Sequence, residues 1–224
     1  MKSINIKSTY RTIQTQSEGL YKEKGSKFIG YAVACYSEEE AKQFLESWKK
    51  QNHQARHVCY AYRFGVNQDV YRANDDGEPN NSAGIPILGQ IQSFDLSNVL
   101  IGVVRYFGGT KLGVGGLIQA YKTAAKEAIE SGEIIEKEVF EWVKLNFNYS
   151  DMPSTMSFIK QFNLFIKTQN FEINCELIIS LPLEKKRNTE ERVVKFTIYG
   201  IINSRNILKI RILKNRNEIT EGIS

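Results

Sequence analysis

The chain has 224 residues, 42% of them hydrophobic, and includes 12 Phe and 11 Tyr, a composition that excludes a disordered protein. Its longest apolar run, residues 99–104, is too short to span a bilayer, and its first residues lack the apolar core of a secretory signal, so we expect a cytoplasmic protein without membrane association. The net charge is +5, but residues 1–183 carry 20 basic and 20 acidic side chains, whereas residues 184–224 carry 10 and 5. Such a basic end attracts nucleic acid or serves as a solvated surface, and charge alone slightly favours the second interpretation.

Residues 27–36, KFIGYAVACY, are apolar on both faces and predict a buried strand. Residues 37–52 predict a helix that begins at Ser37, because Ser37 and Glu40 have the spacing of a capping box. The helical spacing of Ala41, Phe44, Leu45 and Trp48 supports this assignment.

Residues 57–65 and 69–74 predict two strands joined by a short V-N-Q turn. A polar loop over 75–84 follows, rich in residues that form turns. In the next segment, 85–94, Pro86 is suited to a first helical turn.

The most apolar strand is predicted over 98–107 and should be central in its sheet. A glycine-rich loop leads from it to a helix predicted over about 115–131. A new pattern begins near Glu136–Glu138, where we place the boundary between domains 1–137 and 138–224. The second domain predicts strand 139–149, helix 152–162, strands 164–169 and 172–181, a helix over about 189–200, and strand 206–213. This βαββαβ order is that of a ferredoxin-like domain.

The glycine-rich loop is the main candidate site. A glycine turn between a strand and a helix offers backbone amides to an anion, and two cations stand within it. The candidate phosphate- or nucleic-acid-binding residues are Arg105, Gly108, Gly109, Lys111, Gly113, Gly115 and Gly116. We expect both cations to be exposed, although neither the P-loop spacing nor G-x-G-x-x-G is present. The alternative is that the glycines serve only positive φ angles and close packing.

Two further groups have weaker claims. Asp75, Asp76 and Glu78 form a possible accessory loop whose oxygens suit a divalent cation, but the same residues are typical of tight turns. His57 and Cys59 share one strand face, as a nucleophile pair would, yet half-buried strand residues are the commoner case. The three cysteines have no metal-binding spacing and predict reduced thiols. We therefore predict no catalytic residue, metal or cofactor.

Three blocks resemble the signature sequences of the Impact family, in its bacterial YigZ branch: EKGSKFIGYA, DDGEPNNSAGIPILGQI and NVLIGVVRYFGGTKLGVGGLIQAY. Arg105–Leu117 of the last block match the family pattern R-Y-F-G-G-x-K-L-G-x-G-G-L throughout, and Ala120–Tyr121 match the A-Y pair that follows it. The resemblance is strong over about residues 15–130. One departure is the stretch Asn80–Ser82, where the family usually has a Ser-Gly-Thr-like stretch.

The resemblance implies a two-domain α+β protein. The N-terminal domain should be similar to domain IV of elongation factor G, a ribosomal-protein-like βαβ fold, and the C-terminal domain to its domain V. Eukaryotic relatives regulate translation and bind a ribosome-associated activator of an initiation-factor kinase. The leading hypothesis is therefore a non-enzymatic, translation-linked protein that contacts RNA, the ribosome or a ribosome-associated protein. The alternatives are an enzyme that binds a nucleotide or phosphorylated small molecule at the glycine loop, and a pure protein-interaction module.

Overall fold

The computed structural model describes residues 8–68, 70–171, 175–182 and 209–212. The chain divides into two compact units, Met1–Lys137 and Glu138–Ser224. Both contain helices and strands, so the mixed α and β composition predicted from the sequence is confirmed. No helix among the described residues is long and apolar enough to cross a membrane.

The first unit combines a five-stranded sheet, a two-stranded sheet and three helices. Its strands are β1 (Thr9–Ile13), β2 (Ser17–Glu23), β3 (Ser26–Ala34), β4 (His57–Phe64), β5 (Val70–Asn74), β6 (Val99–Tyr106) and β7 (Ile134–Glu138). Its helices are α1 (Glu38–Gln51), α2 (Gly84–Ser93) and α3 (Gly113–Glu130).

The five-stranded sheet has the order β2-β3-β6-β4-β5, with every neighbouring pair antiparallel. The apolar strand β6 is central, as its sequence predicts. Successive side chains of a strand point to opposite faces, so Val99 and Ile101 pack with α2 and α3, while Leu100 and Val104 pack with α1. The sheet is therefore covered by helices on both faces.

Local signals fix the start of α1 and its distance from the sheet. Ser37 Oγ accepts a hydrogen bond from the Glu40 amide at 3.1 Å, which confirms the predicted cap. Trp48, on the last turns of this helix, lies over Gly102 of β6, where an added Cβ would lie 2.5 Å from the indole ring. The glycine in the central strand thus makes room for the indole.

Three strands of this unit are missed by the sequence analysis. Strand β2 lies at a sheet edge and its residues are mostly exposed or half-buried, so its pattern resembles that of a polar loop. Strands β1 and β7 pair with each other, and β7 begins just after Gly132, where the sequence predicts only the end of a helix.

The second unit contains β8 (Phe140–Phe147), α4 (Met152–Gln161), β9 (Ile166–Phe171), β10 (Cys175–Pro182) and β11 (Lys209–Ile212), in a sheet of order β11-β8-β10-β9. All pairings are antiparallel, and one face forms an apolar core that includes Leu145, Phe158 and Leu177. The helix predicted over about 189–200 lies outside the described residues. The ferredoxin-like assignment and both comparisons with elongation factor G therefore stay predictions.

Candidate functional site

A cleft of about 490 Å³ lies between the polar loop before α2 and the glycine loop before α3. Its lining comes from five segments of the first unit: the start of β4, the polar loop, the end of β6, the glycine loop, and the first turns of α3. The lining residues are Arg56, His57, Glu78, Pro79, Arg105, Phe107, Lys111, Leu112, Gly113, Val114 and Leu117.

A buried polar network forms part of the cleft lining. Arg105 Nη1 donates to Glu78 Oε1 at 2.6 Å, and the Tyr121 hydroxyl donates to the same oxygen at 2.8 Å. The side chains of Arg105 and Glu78 are only 9% and 4% exposed. Burial, followed by the neighbouring Cys59 and Glu78, raises the pKa of Tyr121, so this phenol stays protonated.

The expectation that Arg105 is an exposed cation is wrong. Its strand position faces α3 and the polar loop, and Glu78 on that loop neutralises its charge. Arg105 and Glu78 are 27 positions apart, so no local sequence pattern predicts their ion pair. Arg105 therefore offers hydrogen bonds to a ligand but little net charge.

Part of the Arg105 guanidinium remains without a partner. Nε is buried and has no hydrogen-bond partner among the described residues. The guanidinium carbon lies 5.6 Å from the centroid of the Phe28 ring and 5.5 Å from that of Phe107, within cation–π range of both. A buried N–H donor without an acceptor is costly, and this one belongs to a side chain that lines the cleft.

The polar loop owes its shape to its acidic residues. Asp75 Oδ1 accepts from the amides of Ala83 and Gly84 at 2.9 and 2.8 Å, which holds the start of α2. Asp76 Oδ2 accepts from the Val58 amide at 2.7 Å and ties the loop to β4. Among the described residues no cluster of three or more potential ligands could hold a metal ion. Both aspartates thus bind backbone amides, and only Glu78 of the three predicted loop residues lines the cleft.

An Asp-Gly turn carries Glu78 into the cleft. The Glu78 amide donates to the Asp75 carbonyl at 2.9 Å, and the two residues between them have φ of 42° and 87°. Two successive positive φ angles are typical of a type I′ turn. Gly77 supplies the second of these angles at no steric cost.

The predicted glycines have different surroundings. A Cβ on Gly108 would lie 1.9 Å from the Gly25 backbone, so this glycine serves close packing. Gly109 and Gly113 have φ of +86° and +73°, and a Cβ on either would meet no atom of the described residues within 4 Å, so these glycines serve backbone conformation. Gly115 has neither constraint, and a Cβ on Gly116 would meet Leu112 at 3.0 Å. Only Gly113 of this group lines the cleft.

The rim of the cleft is positively charged. Lys111 and Arg56 are exposed, and neither has an ion-pair partner within the part of the chain that the structure describes. Helix α3 begins beside Lys111 with Leu112 at its N-cap and no side-chain cap. The first amides of a helix are unsatisfied and carry a partial positive charge. An anion in the cleft would therefore meet two cations and uncapped amides.

His57 and Cys59 do not form a nucleophile pair. The thiol of Cys59 donates to the Asp75 carbonyl at 3.0 Å, while His57 Nδ1 lies 2.7 Å from the Asp76 carbonyl. A carbonyl oxygen only accepts, so that imidazole nitrogen carries the proton. Burial raises the pKa of the Cys59 thiol, which stays neutral.

Several lining residues carry no signal in the sequence, above all Arg56 and Val114, whereas Phe107 has the two possible roles of a base-stacking aromatic and a core residue of the strand. Arg56 lies in a short connection before β4 without any motif. The apolar pattern predicts that Phe107 belongs to the strand, yet its side chain is 51% exposed because β6 ends one residue earlier. Exposure also separates two apolar residues on the first turns of α3, because Val114 is 54% exposed whereas Leu117 is buried.

Comparison with known proteins places this unit in a family. The family model described as "Impact N-terminal domain" matches residues 24–129. The chain is 32% identical over 168 residues to the IMPACT family member YvyE of Bacillus subtilis, covering 75% of this chain and 77% of that protein. It is 29% identical over 176 residues to the IMPACT family member YigZ of Escherichia coli, covering 78% of this chain and 86% of that one. The chain therefore belongs to the IMPACT family, as its sequence blocks predict.

A solved structure supports the fold as well. The crystal structure of a hypothetical protein is similar to this chain with a TM-score of 0.71 and 26% sequence identity. The similarity covers 93% of this chain and 98% of the other.

Proposed function

We propose that the protein is a translation-linked regulatory binding protein that contacts RNA on the ribosome through the cleft of its first unit. The link to translation comes from the Impact family resemblance, whose eukaryotic members regulate translation. The choice of RNA rests on charge, because the phosphates of RNA are among the anions that exposed lysine, arginine and uncapped helix amides bind.

The observation that carries the proposal is the exposed pair Lys111 and Arg56 beside the uncapped start of α3. Elsewhere in residues 1–137 basic and acidic side chains are nearly balanced, so a contact with an anion depends on local geometry. Arg105, neutralised by Glu78, contributes hydrogen bonds to this contact.

An enzymatic role at a nucleotide or phosphorylated small molecule is the second candidate, and the cleft volume favours it. About 490 Å³ is within the range of small-molecule sites. Against it, Cys59 is buried with a raised pKa, and Glu78 is engaged by two donors. Saturable micromolar binding of ATP that requires magnesium, together with no binding to ribosomes, would favour this candidate over the first.

Cosedimentation of the full chain with purified ribosomes tests the proposal. We expect binding at low salt that weakens steeply as salt rises, because counterions released from phosphates drive such contacts. Ribosomes treated with nuclease until their exposed RNA is cleaved should bind less protein. Binding that survives both salt and nuclease would instead indicate a ribosome-associated protein as the partner, and no binding at low salt would overturn the proposal.

A further inference from the structure

We infer that the cleft accepts one nucleotide unit, with the phosphate at the start of α3 and the base against Phe107. This inference rests on the proposed function and names the chemical class that the cleft recognises, a nucleoside monophosphate. The unit could come from single-stranded RNA or from a free nucleotide, and the experiment below separates these sources.

The phosphate position is set by the start of α3. Leu112 occupies the N-cap and makes no side-chain hydrogen bond, whereas Ser, Thr, Asp or Asn is usual there and satisfies an amide. Gly113 and Val114 line the cleft next to Lys111. Open amides, a helix dipole and an exposed ammonium group together suit a phosphate.

The second observation lies deeper in the cleft. Arg105 lines the cleft although its side chain is about nine-tenths buried, and its Nε, which is shielded from solvent, has no acceptor among the described residues. Because Glu78 balances the charge of Arg105, the small exposed part of the guanidinium offers a donor beside a carboxylate and is not a second phosphate site. Such a combination suits groups that both donate and accept, which ribose hydroxyls and base edges do.

The cleft walls suit a flat aromatic body. Phe107 directly follows the end of β6 and is 51% exposed. Its ring lies within cation–π range of Arg105. Val114, on the first turn of α3, also lines the cleft and is 54% exposed. Stacking on an aromatic side chain contributes strongly to the binding of single-stranded nucleic acid and tolerates any base. An acidic peptide would use the cations but would leave this apolar wall without a flat partner.

The test is a titration of the full chain, labelled with ¹⁵N, by adenosine 5′-monophosphate, adenosine, ribose 5-phosphate and inorganic phosphate. We expect the monophosphate to shift the amide signals of Gly113 and Val114 and to bind at least tenfold more tightly than the other three compounds. Phe107→Ala should weaken its binding about tenfold, a loss typical of one stacked base. Lys111→Ala should also weaken it, while Lys122→Ala, an exposed lysine of α3 outside the cleft, should not.

The source of the nucleotide follows from two RNA probes, a trinucleotide with a 5′-phosphate and the same trinucleotide without it. Equal binding of both indicates an internal unit of RNA, and binding of neither, with the free monophosphate bound, indicates a small-molecule ligand. Inorganic phosphate or an acidic peptide binding as tightly as the monophosphate would overturn the inference, as would the absence of any shift. Ribosome binding that persists without nucleotide binding would overturn only this inference, whereas nucleotide binding without ribosome binding would overturn only the proposed function.

Discussion

Arg105 Nη1 and Glu78 Oε1 lie 2.6 Å apart in a buried ion pair at the lining of the cleft. The pair joins the central strand to the polar loop, and Tyr121 adds a bond from α3 to the same carboxylate. One acidic residue thus connects three elements and sets the charge that the cleft presents.

Removing that charge should have opposite effects on stability and on anion binding. Glu78→Gln keeps the shape of the side chain but leaves Arg105 buried without a counter-charge. Loss of one partner of a buried ion pair costs about 3 kcal/mol, so the amides of β6 should exchange faster with deuterium. The uncompensated guanidinium should at the same time bind adenosine 5′-monophosphate more tightly.

Glu130→Gln is the matched control for this prediction. It breaks the ion pair of Lys126 and Glu130, whose side chains are about half exposed, and such surface pairs contribute less than about 1 kcal/mol. Weaker nucleotide binding by Glu78→Gln, or equal exchange in both variants, would contradict the assigned role of Glu78.

The buried thiols predict a dependence of stability on pH. Burial raises the pKa of Cys35 from 9.0 to about 12 and raises that of Cys59 as well. The unfolded thiols ionise near pH 9 while the folded thiols stay protonated. The contribution of the buried thiols to the free energy of unfolding is therefore complete below pH 9 and is lost as the pH rises above it. Above pH 9 the free energy of unfolding falls by at most about 1.4 kcal/mol per pH unit for each thiol.

Labelling of these thiols by iodoacetamide, followed by mass spectrometry, measures the effect. Both cysteines should be unmodified in the native protein at pH 8 and should react once urea opens the first unit. After correction for the rate in the unfolded chain, the free energy of opening should be lower at pH 10 than at pH 8. Rapid labelling of Cys59 in the native protein at pH 8 would contradict this prediction and would support a nucleophilic role for the His57–Cys59 pair.

Two glycines of the first unit should respond in opposite directions to alanine. In Gly102→Ala the new methyl group would lie 2.5 Å from the Trp48 ring, and overpacking of this kind costs about 1–3 kcal/mol. In Gly115→Ala the methyl group meets no described neighbour within 4 Å and φ is not in the left-handed range, so the better helix former should stabilise α3 by about 1 kcal/mol. Urea unfolding, followed by thiol labelling at pH 8, should show the two midpoints on opposite sides of that of the unmodified protein.

The polar loop gives a prediction about a helix start. Asp75 accepts three amide bonds, from Ala83, Gly84 and Asn81. Asp75→Asn replaces one carboxylate oxygen by an amino group that cannot accept and removes a negative charge near the start of α2. A loss of about 1–2 kcal/mol is expected, with faster amide exchange in α2. Unchanged exchange there would mean that Asp75 does not hold the helix.

Sequence reasoning succeeded where one segment carries its own signal. The apolar run of β6 predicts a central strand, and Ser37 with Glu40 predicts the start of α1. It failed where the determining partner is remote. Nothing near Arg105 signals that a turn 27 residues earlier brings Glu78 against it, and the exposure of Phe107 depends on where β6 ends. The edge strand β2 is missed because a strand with few buried residues lacks the apolar signal that identifies β6.

The most direct test of the account is ribosome cosedimentation of Lys111→Ala beside Lys122→Ala over a series of salt concentrations. Both variants lose one exposed lysine of the same region, but only Lys111 lines the cleft. We expect Lys111→Ala to bind more weakly and to reduce the slope of log affinity against log salt by about 0.7, the value for one phosphate contact with a single strand, while Lys122→Ala behaves like the unmodified protein. Equal behaviour of the two variants would contradict the claim that this cleft is the contact surface.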